Sequence, residues 1–188
     1  MKKIIFSINI SLDGYIAKKN GDFNWLLVDE SLFDFIKTFT DDADTAIYGR
    51  KTYEMMESYW TTAADKPNAT RHDIEHSKWY NDSQKIVISR TLKNKEIANT
   101  TIFDKILPEE INKLKNQDGK NLLMFGSVTT AQNMMKFNLI DEYLIFINPI
   151  LLGAGIPLFK NDFNTIYLSL LNVKTFESGV IALHYQIK

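Results

Sequence analysis

Two short stretches carry residues suited to holding an anion. Gly49-Arg50-Lys51-Thr52 follows the apolar run Ala46-Ile47-Tyr48 and precedes the helix-compatible Tyr53-Glu54-Met55-Met56. A buried strand that turns at a glycine into a helix aims unpaired backbone N–H groups at one spot, which suits a phosphate. Arg50 and Lys51 add positive charge there, and the Thr52 hydroxyl adds a donor. Gly126-Ser127-Val128-Thr129 repeats the arrangement after the apolar strand Asn121 to Phe125, and its small residues let a ligand approach the backbone. Ser89-Arg90 ends a further β-rich run, Lys85 to Ile88, which by itself reads as a buried strand with a solvated end. Each stretch is also compatible with an ordinary turn bearing solvated bases. Two strand–glycine–helix junctions in one chain are less frequent by chance than one.

Other chemistry-bearing residues have competing readings. His72-Asp73-Ile74-Glu75-His76 fits the inverted zincin pattern His-x-x-Glu-His, and histidines four apart share a helix face. No further ligand is evident, and His184 falls in a distant C-terminal strand. A polar surface helix is the better reading, and no metal site is expected. Asp29 and Glu30 open a helix with Leu32, Phe35, Ile36 and Phe39 on one face, where the dipole favours negative charge. Gly153-Ala154-Gly155 lacks the third glycine of a dinucleotide fingerprint and opens no convincing helix.

Composition narrows the function classes. A chain of 188 residues suits one domain with a full core, expected here over 1–188. A formal net charge of −1 predicts neither nucleic-acid nor membrane affinity. The absence of cysteine excludes disulfides and thiolate metal sites. Ser7, Asn9, Ser11 and Asp13 interrupt the first apolar run before it becomes a signal core. No stretch approaches a spanning helix. The chain reads as a soluble cytoplasmic domain.

The elements that must position these residues alternate in type. Lys3 to Ile10 is a first strand, followed by a turn at Asp13-Gly14, either a bare hairpin or a loop lying over the sheet end. A helix from Asp29, the strand ending at Tyr48 and a helix to about Trp60 come next. Lys85 to Ile88 and Thr101 to Phe103 read as strands, and Pro108-Glu109-Glu110 opens a helix as proline at its first position predicts. A helix follows Ser127, and Asp141 to Ile147 is a strand. Thr165 to Phe176 and Val180 to Ile187 form a closing hairpin around Glu177-Ser178-Gly179. This alternation predicts an α/β fold with a mostly parallel sheet, flanking helices and an antiparallel C-terminal hairpin.

The motifs also carry a resemblance. Gly49-Arg50-Lys51-Thr52 resembles the Gly-Arg-x-Thr turn by which dihydrofolate reductases hold NADPH phosphates. Ser11-Leu12-Asp13-Gly14-Tyr15-Ile16-Ala17 and the string Pro149 to Phe159 are similar to the reductase (RibD C-terminal) domain of bacterial riboflavin biosynthesis, which shares the dihydrofolate-reductase fold. The resemblance runs from Ile4 to Tyr185 with the motifs in order. It implies a three-layer α/β/α, dihydrofolate-reductase-like domain and an NADPH-dependent reductase acting on a small pterin- or pyrimidine-like heterocycle. A non-catalytic nucleotide-binding protein on the same fold is the alternative.

The resemblance implies that Ile16, Gly49, Arg50, Lys51, Thr52, Ser89, Arg90, Gly126, Ser127, Val128 and Thr129 bind the cofactor, with Arg50 and Arg90 converging on the 2′-phosphate. It places Asp13, Trp25 and Glu30 beside the substrate, with Asp34 next in line for the acid. It identifies no proton donor. The zinc deaminase half that often accompanies this domain cannot be formed without cysteine, so a stand-alone relative with another substrate is expected. Relatives of this kind often dimerise, and a homodimer through the Ile145 to Phe159 region and the C-terminal hairpin is an expectation.

Overall fold

The computed structural model describes residues 1–93, 95–160 and 163–188. Its centre is an eight-stranded sheet in the order β5-β4-β3-β6-β1-β7-β10-β9. The strands are β1 Ile4–Ser11, β3 Ala43–Gly49, β4 Gln84–Ile88, β5 Thr100–Phe103, β6 Asn121–Phe125, β7 Glu142–Asn148, β9 Leu168–Thr175 and β10 Ile181–Ile187. Strands β5 to β7 in that order pair in parallel, and β10 is antiparallel to both neighbours. A separate antiparallel pair joins β2 Tyr15–Ala17 to β8 Ile156–Pro157. The helices are α1 Glu30–Asp41, α2 Arg50–Trp60, α3 Arg71–Asp82, α4 Pro108–Lys115 and α5 Val128–Lys136, with a short 3-10 turn at Ala63–Asp65.

Burial on both faces of the sheet dictates the three layers. Along β1, Ile4, Phe6, Ile8 and Ile10 share one core with Ile111 of α4 and Ala131, Met134 and Met135 of α5. Ile5, on the opposite face, joins Leu123, Leu144 and Phe146 beneath Leu32, Phe35, Ile36 and Phe39 of α1. Farther along that face, Tyr48 and Val87 pack with Tyr53 of α2 and Tyr80 of α3. A period of two along each strand thus feeds two separate cores. The architecture is the dihydrofolate-reductase-like one expected. No helix among the described residues is long and apolar enough to cross a membrane.

Two local outcomes differ from the simplest reading. The Asp13-Gly14 turn does not fold β2 back as a hairpin on β1; β2 leaves to pair with β8, about 140 residues later. Gly155 permits this approach, because a Cβ there would lie 2.3 Å from the Ala17 carbonyl oxygen. The polar stretch around His72 to His76 is also no simple surface helix: α3 buries His76, Ser77 and Tyr80. At the other sheet edge, β9 leaves Leu170, Leu171 and Val173 exposed.

Tyr48 is fully buried, yet its hydroxyl has no hydrogen-bond partner. An unpaired buried hydroxyl forfeits its hydration without return. Tyr48→Phe should therefore leave stability unchanged or raise it by about 1 kcal/mol in urea denaturation. A loss of 2 kcal/mol or more, about what a broken buried hydrogen bond costs, would show that the hydroxyl is bonded.

Candidate functional site

In the sheet order, the chain leaves β3 outward to β4, whereas it leaves β6 in the opposite direction, across β1 to β7. The carboxyl ends of the neighbouring strands β3 and β6 therefore flank a topological switch point, where open α/β sheets bind ligands. Both strand–glycine–helix junctions open there. They are bonded to each other: Gly49 N–H donates to Ser127 Oγ at 2.8 Å, and Ser127 N–H donates to Thr52 Oγ1 at 3.2 Å. Gly126 N–H donates to the Ser7 carbonyl at 3.2 Å, tying the turn to β1.

Gly126 and Ser127 both have left-handed backbone, with φ of 56° and 54°. That conformation disfavours a residue with a side chain, so the Ser127 hydroxyl bond to Gly49 helps hold it in place. Gly49 cannot readily take a side chain, since a Cβ would lie 2.8 Å from Thr130 Oγ1. The two helices that start here, α2 and α5, have no side-chain cap, whereas Asp29 caps α1 and Thr70 caps α3. The first-turn N–H groups of both have no acceptor within their helix and add two positive dipole ends at the crevice.

The cations lie around this cradle. Arg50 starts α2 and pairs with Glu54 one turn on, at 2.7 Å, on a half-exposed surface. Lys51 and Arg90 are exposed. The β3–β4 register sets Gly49 beside Ile88, which places Ser89 and Arg90 one strand away from Arg50. Buried Ser89 closes its own turn: its N–H donates to the Phe103 carbonyl and its Oγ accepts from Leu92 N–H. The structure thus brings Gly49, Thr52, Gly126, Ser127 and the Val128-Thr129 helix start into one cradle, with Ser89-Arg90 adjacent. Ile16 lies on β2 and packs against the core beneath α5.

The expected substrate-side residues have separate fates. Asp13 accepts from Ser11 Oγ at 2.6 Å, Gly153 N–H at 2.7 Å and Leu152 N–H at 3.1 Å, clamping the first turn to the loop after β7. The Ser11 hydroxyl, then those backbone donors, hold its carboxyl below the ordinary range. Asp29 caps α1 and accepts from Ser31 Oγ and the N–H groups of Leu32 and Ser178. Hydrogen bonds from Ser31 and Ser178 lower its pKa to about 2. Glu30 is exposed on the first turn, and Asp34 pairs with Arg71 across to α3. Trp25 is buried with its indole Nε1 unpartnered. Asn148, overlooked in the sequence, is fully buried and binds Leu27 N–H through its Oδ1 at 2.9 Å. Asn-Pro at a strand end was its one signal.

The histidine pair sits in an aromatic cluster. His76 packs against Trp60, Trp79 and Phe125 with ring centroids 4.2, 5.2 and 5.9 Å away, and His72 stacks on Phe33. His184 Nε2 donates to the Glu142 carboxylate at 2.7 Å, at the amino end of β7. Among the described residues, no three His, Cys, Asp or Glu side chains are grouped to hold a metal ion.

The profile of the RibD C-terminal domain family matches residues 2–182. "Uncharacterized protein YyaP" of Bacillus subtilis (strain 168) is 35% identical over 188 residues, covering 98% of this chain and 94% of its own. "Uncharacterized protein YwjB" of the same organism is 30% identical, covering 98% and 97%. A solved structure described as a putative riboflavin biosynthesis protein from Shewanella sp. PV-4 superposes with a TM-score of 0.72 at 28% identity, covering 100% of this chain and 99% of that one. A pyrimidine reductase-like protein from Corynebacterium diphtheriae gives 0.69 at 15% identity, covering 100% and 92%. A deaminase/reductase from Thermotoga maritima gives 0.67 at 13%, covering 100% of this chain but 57% of that one, and at this identity shows the fold alone.

Burial lowers the His76 pKa to about 3, against about 6.5 for an unfolded histidine. Between those values the unfolded chain binds the extra proton, so stability falls as pH drops through that window and is fully present above it. Each pH unit there should cost up to about 1.4 kcal/mol from this group. Denaturant midpoints of His76→Phe should decline less steeply from pH 6.5 to 4 than those of the wild type. Parallel declines would mean that His76 is solvated.

Proposed function

Because the chain belongs to the RibD C-terminal domain family, we propose that it is a reductase that delivers hydride from NADPH to a small pyrimidine- or pterin-like heterocycle. The observation that carries this reading is the bonded pair of junctions at the switch point, with two uncapped helix starts opening on one crevice. Those groups fit a dinucleotide phosphate: backbone donors, hydroxyls and fixed cations converge where Gly49 leaves no room for a side chain. When bound, NADPH supplies the hydride.

The chain's own residues hold and orient. Arg50, Lys51 and the N–H groups at Thr52, Val128 and Thr129 take phosphate oxygens, and Ser127 keeps the turn open toward them. Arg90, one strand over, receives the 2′-phosphate and selects NADPH over NADH, and buried Ser89 shapes the turn that presents it. Ile16 offers an apolar surface to the nicotinamide. Asp13 holds the covering loop in place rather than moving a proton. Asp13 and Asp29, both shifted down, are ionised at neutral pH and have no proton to give. Neither carboxylate is the proton donor in this reading, and a bound water can serve in their place. That same lack of a protonated acid supports the alternative, a nucleotide-binding protein without turnover.

Fluorescence titration tests the assignment. Wild type should bind NADPH at least tenfold more tightly than NADH, and Arg90→Ala should erase that preference. Glu54→Gln should tighten NADPH up to about fivefold, since it removes a half-exposed competitor whose ion pair is worth at most about 1 kcal/mol. Binding of neither nucleotide would remove the reductase reading; binding without oxidation by any heterocycle would favour the alternative.

A further inference from the structure

Buried Asn148 and half-buried Asn9 join their side-chain amides across β1 and β7. Asn148 closes β7 opposite Ser11. Its Oδ1 accepts from Leu27 N–H at 2.9 Å, which only a carbonyl oxygen can do, so its amide nitrogen faces the sheet. From there Nδ2 donates to Asn9 Oδ1 at 3.1 Å, with longer contacts of 3.4 and 3.5 Å to the Phe146 and Ile10 carbonyls. The Asn9 orientation follows: its oxygen is turned toward Asn148 and its Nδ2 away. One backbone N–H thus sets both amides, and flipping either one breaks the chain of donors.

Asn9 occupies a distinctive position. It alternates with Ile8 and Ile10, which join the core beneath α5, so its side chain stands on the opposite face. β6 pairs with β1 only as far as Phe125 opposite Ser7, and the chain then turns away at Gly126-Ser127. Beyond that point Asn9 has a strand neighbour only in β7, at Phe146, and borders the crevice on its other side. It is half-buried, and among the described residues none accepts a hydrogen bond from its Nδ2.

We propose that Asn9 is the group that reads the substrate ring, donating from Nδ2 to an exocyclic oxo acceptor. Asn148 is the positioning residue that keeps it a donor. The inference rests on the reductase reading of the same crevice and adds the polarity of the ligand: an oxo-pyrimidine fits, and an amino group at the same ring position is refused. A donor facing a donor leaves both unpaired, which separates two ligands of equal size by about tenfold or more.

Uracil and 2,4-diaminopyrimidine exchange carbonyl acceptors for amino donors on the same ring, so ligand-observed NMR titrations with both probes test the assignment. Wild type should prefer uracil by about tenfold, and Asn9→Asp, which accepts where Asn9 donates, should invert the preference. Asn148→Asp turns an acceptor toward Asn9, flips that amide and should shift the preference in the same direction without touching the ring. Circular dichroism reports whether this buried variant folds, and Asn9→Asp decides alone if it does not. Equal preferences in wild type and Asn9→Asp, or binding of neither probe to wild type, would overturn the assignment. NADPH titration of the same samples reports the reductase reading separately, since Asn9 lies outside the phosphate cradle.

Discussion

The Gly49–Ser127–Thr52 clasp is the constraint on which the rest of the site depends. Two parallel strands end side by side, and each hands over to a helix whose first N–H groups have no acceptor of their own. Left unlinked, the turns would be free to splay. The Ser127 hydroxyl taking the Gly49 N–H, and the Thr52 hydroxyl taking the Ser127 N–H, lock them at one spacing. The helices therefore present their dipole ends at a fixed separation, and the phosphate proposed to bind there would meet preorganised donors instead of ordering them on arrival.

Around the clasp, contacts between segments distant in sequence shape the opening. Asp13 clamps the first turn to Leu152 and Gly153, and buried Gln132 of α5 donates to the Pro157 and Leu158 carbonyls. The loop after β7 is therefore held between β2 and α5, over the strand ends. Asn148 draws the segment before α1 onto β7 through Leu27. Covering segments tied at several points exclude water without the sheet itself having to move.

Much of this was legible in the sequence, for identifiable reasons. Both junctions announced themselves because an apolar strand, a glycine and a helix start are adjacent in the chain. The α1 start was legible from its acids, although counting from Trp25 could not tell that Asp29, not Glu30, is the residue the helix end consumes. His76 was misjudged because α3 buries polar and titratable residues, so a count of apolar positions finds no inward face. The β2–β8 pair and the Asn9–Asn148 bond join segments some 140 positions apart. Strand register sets both, and no local pattern encodes it. The RibD C-terminal family supports a reductase-like role, while the proposed ring recognition is argued from the orientation of Asn9 and Asn148.

Amide-resolved NMR during NADPH titration tests the central claim most directly. The account predicts that the largest shift changes fall on the backbone amides of Gly49 to Thr52 and Gly126 to Thr130, with the next largest at Ser89 and Arg90. Shifts confined to other surfaces, such as the amino ends of the strands near Lys2 and Lys120, would contradict it.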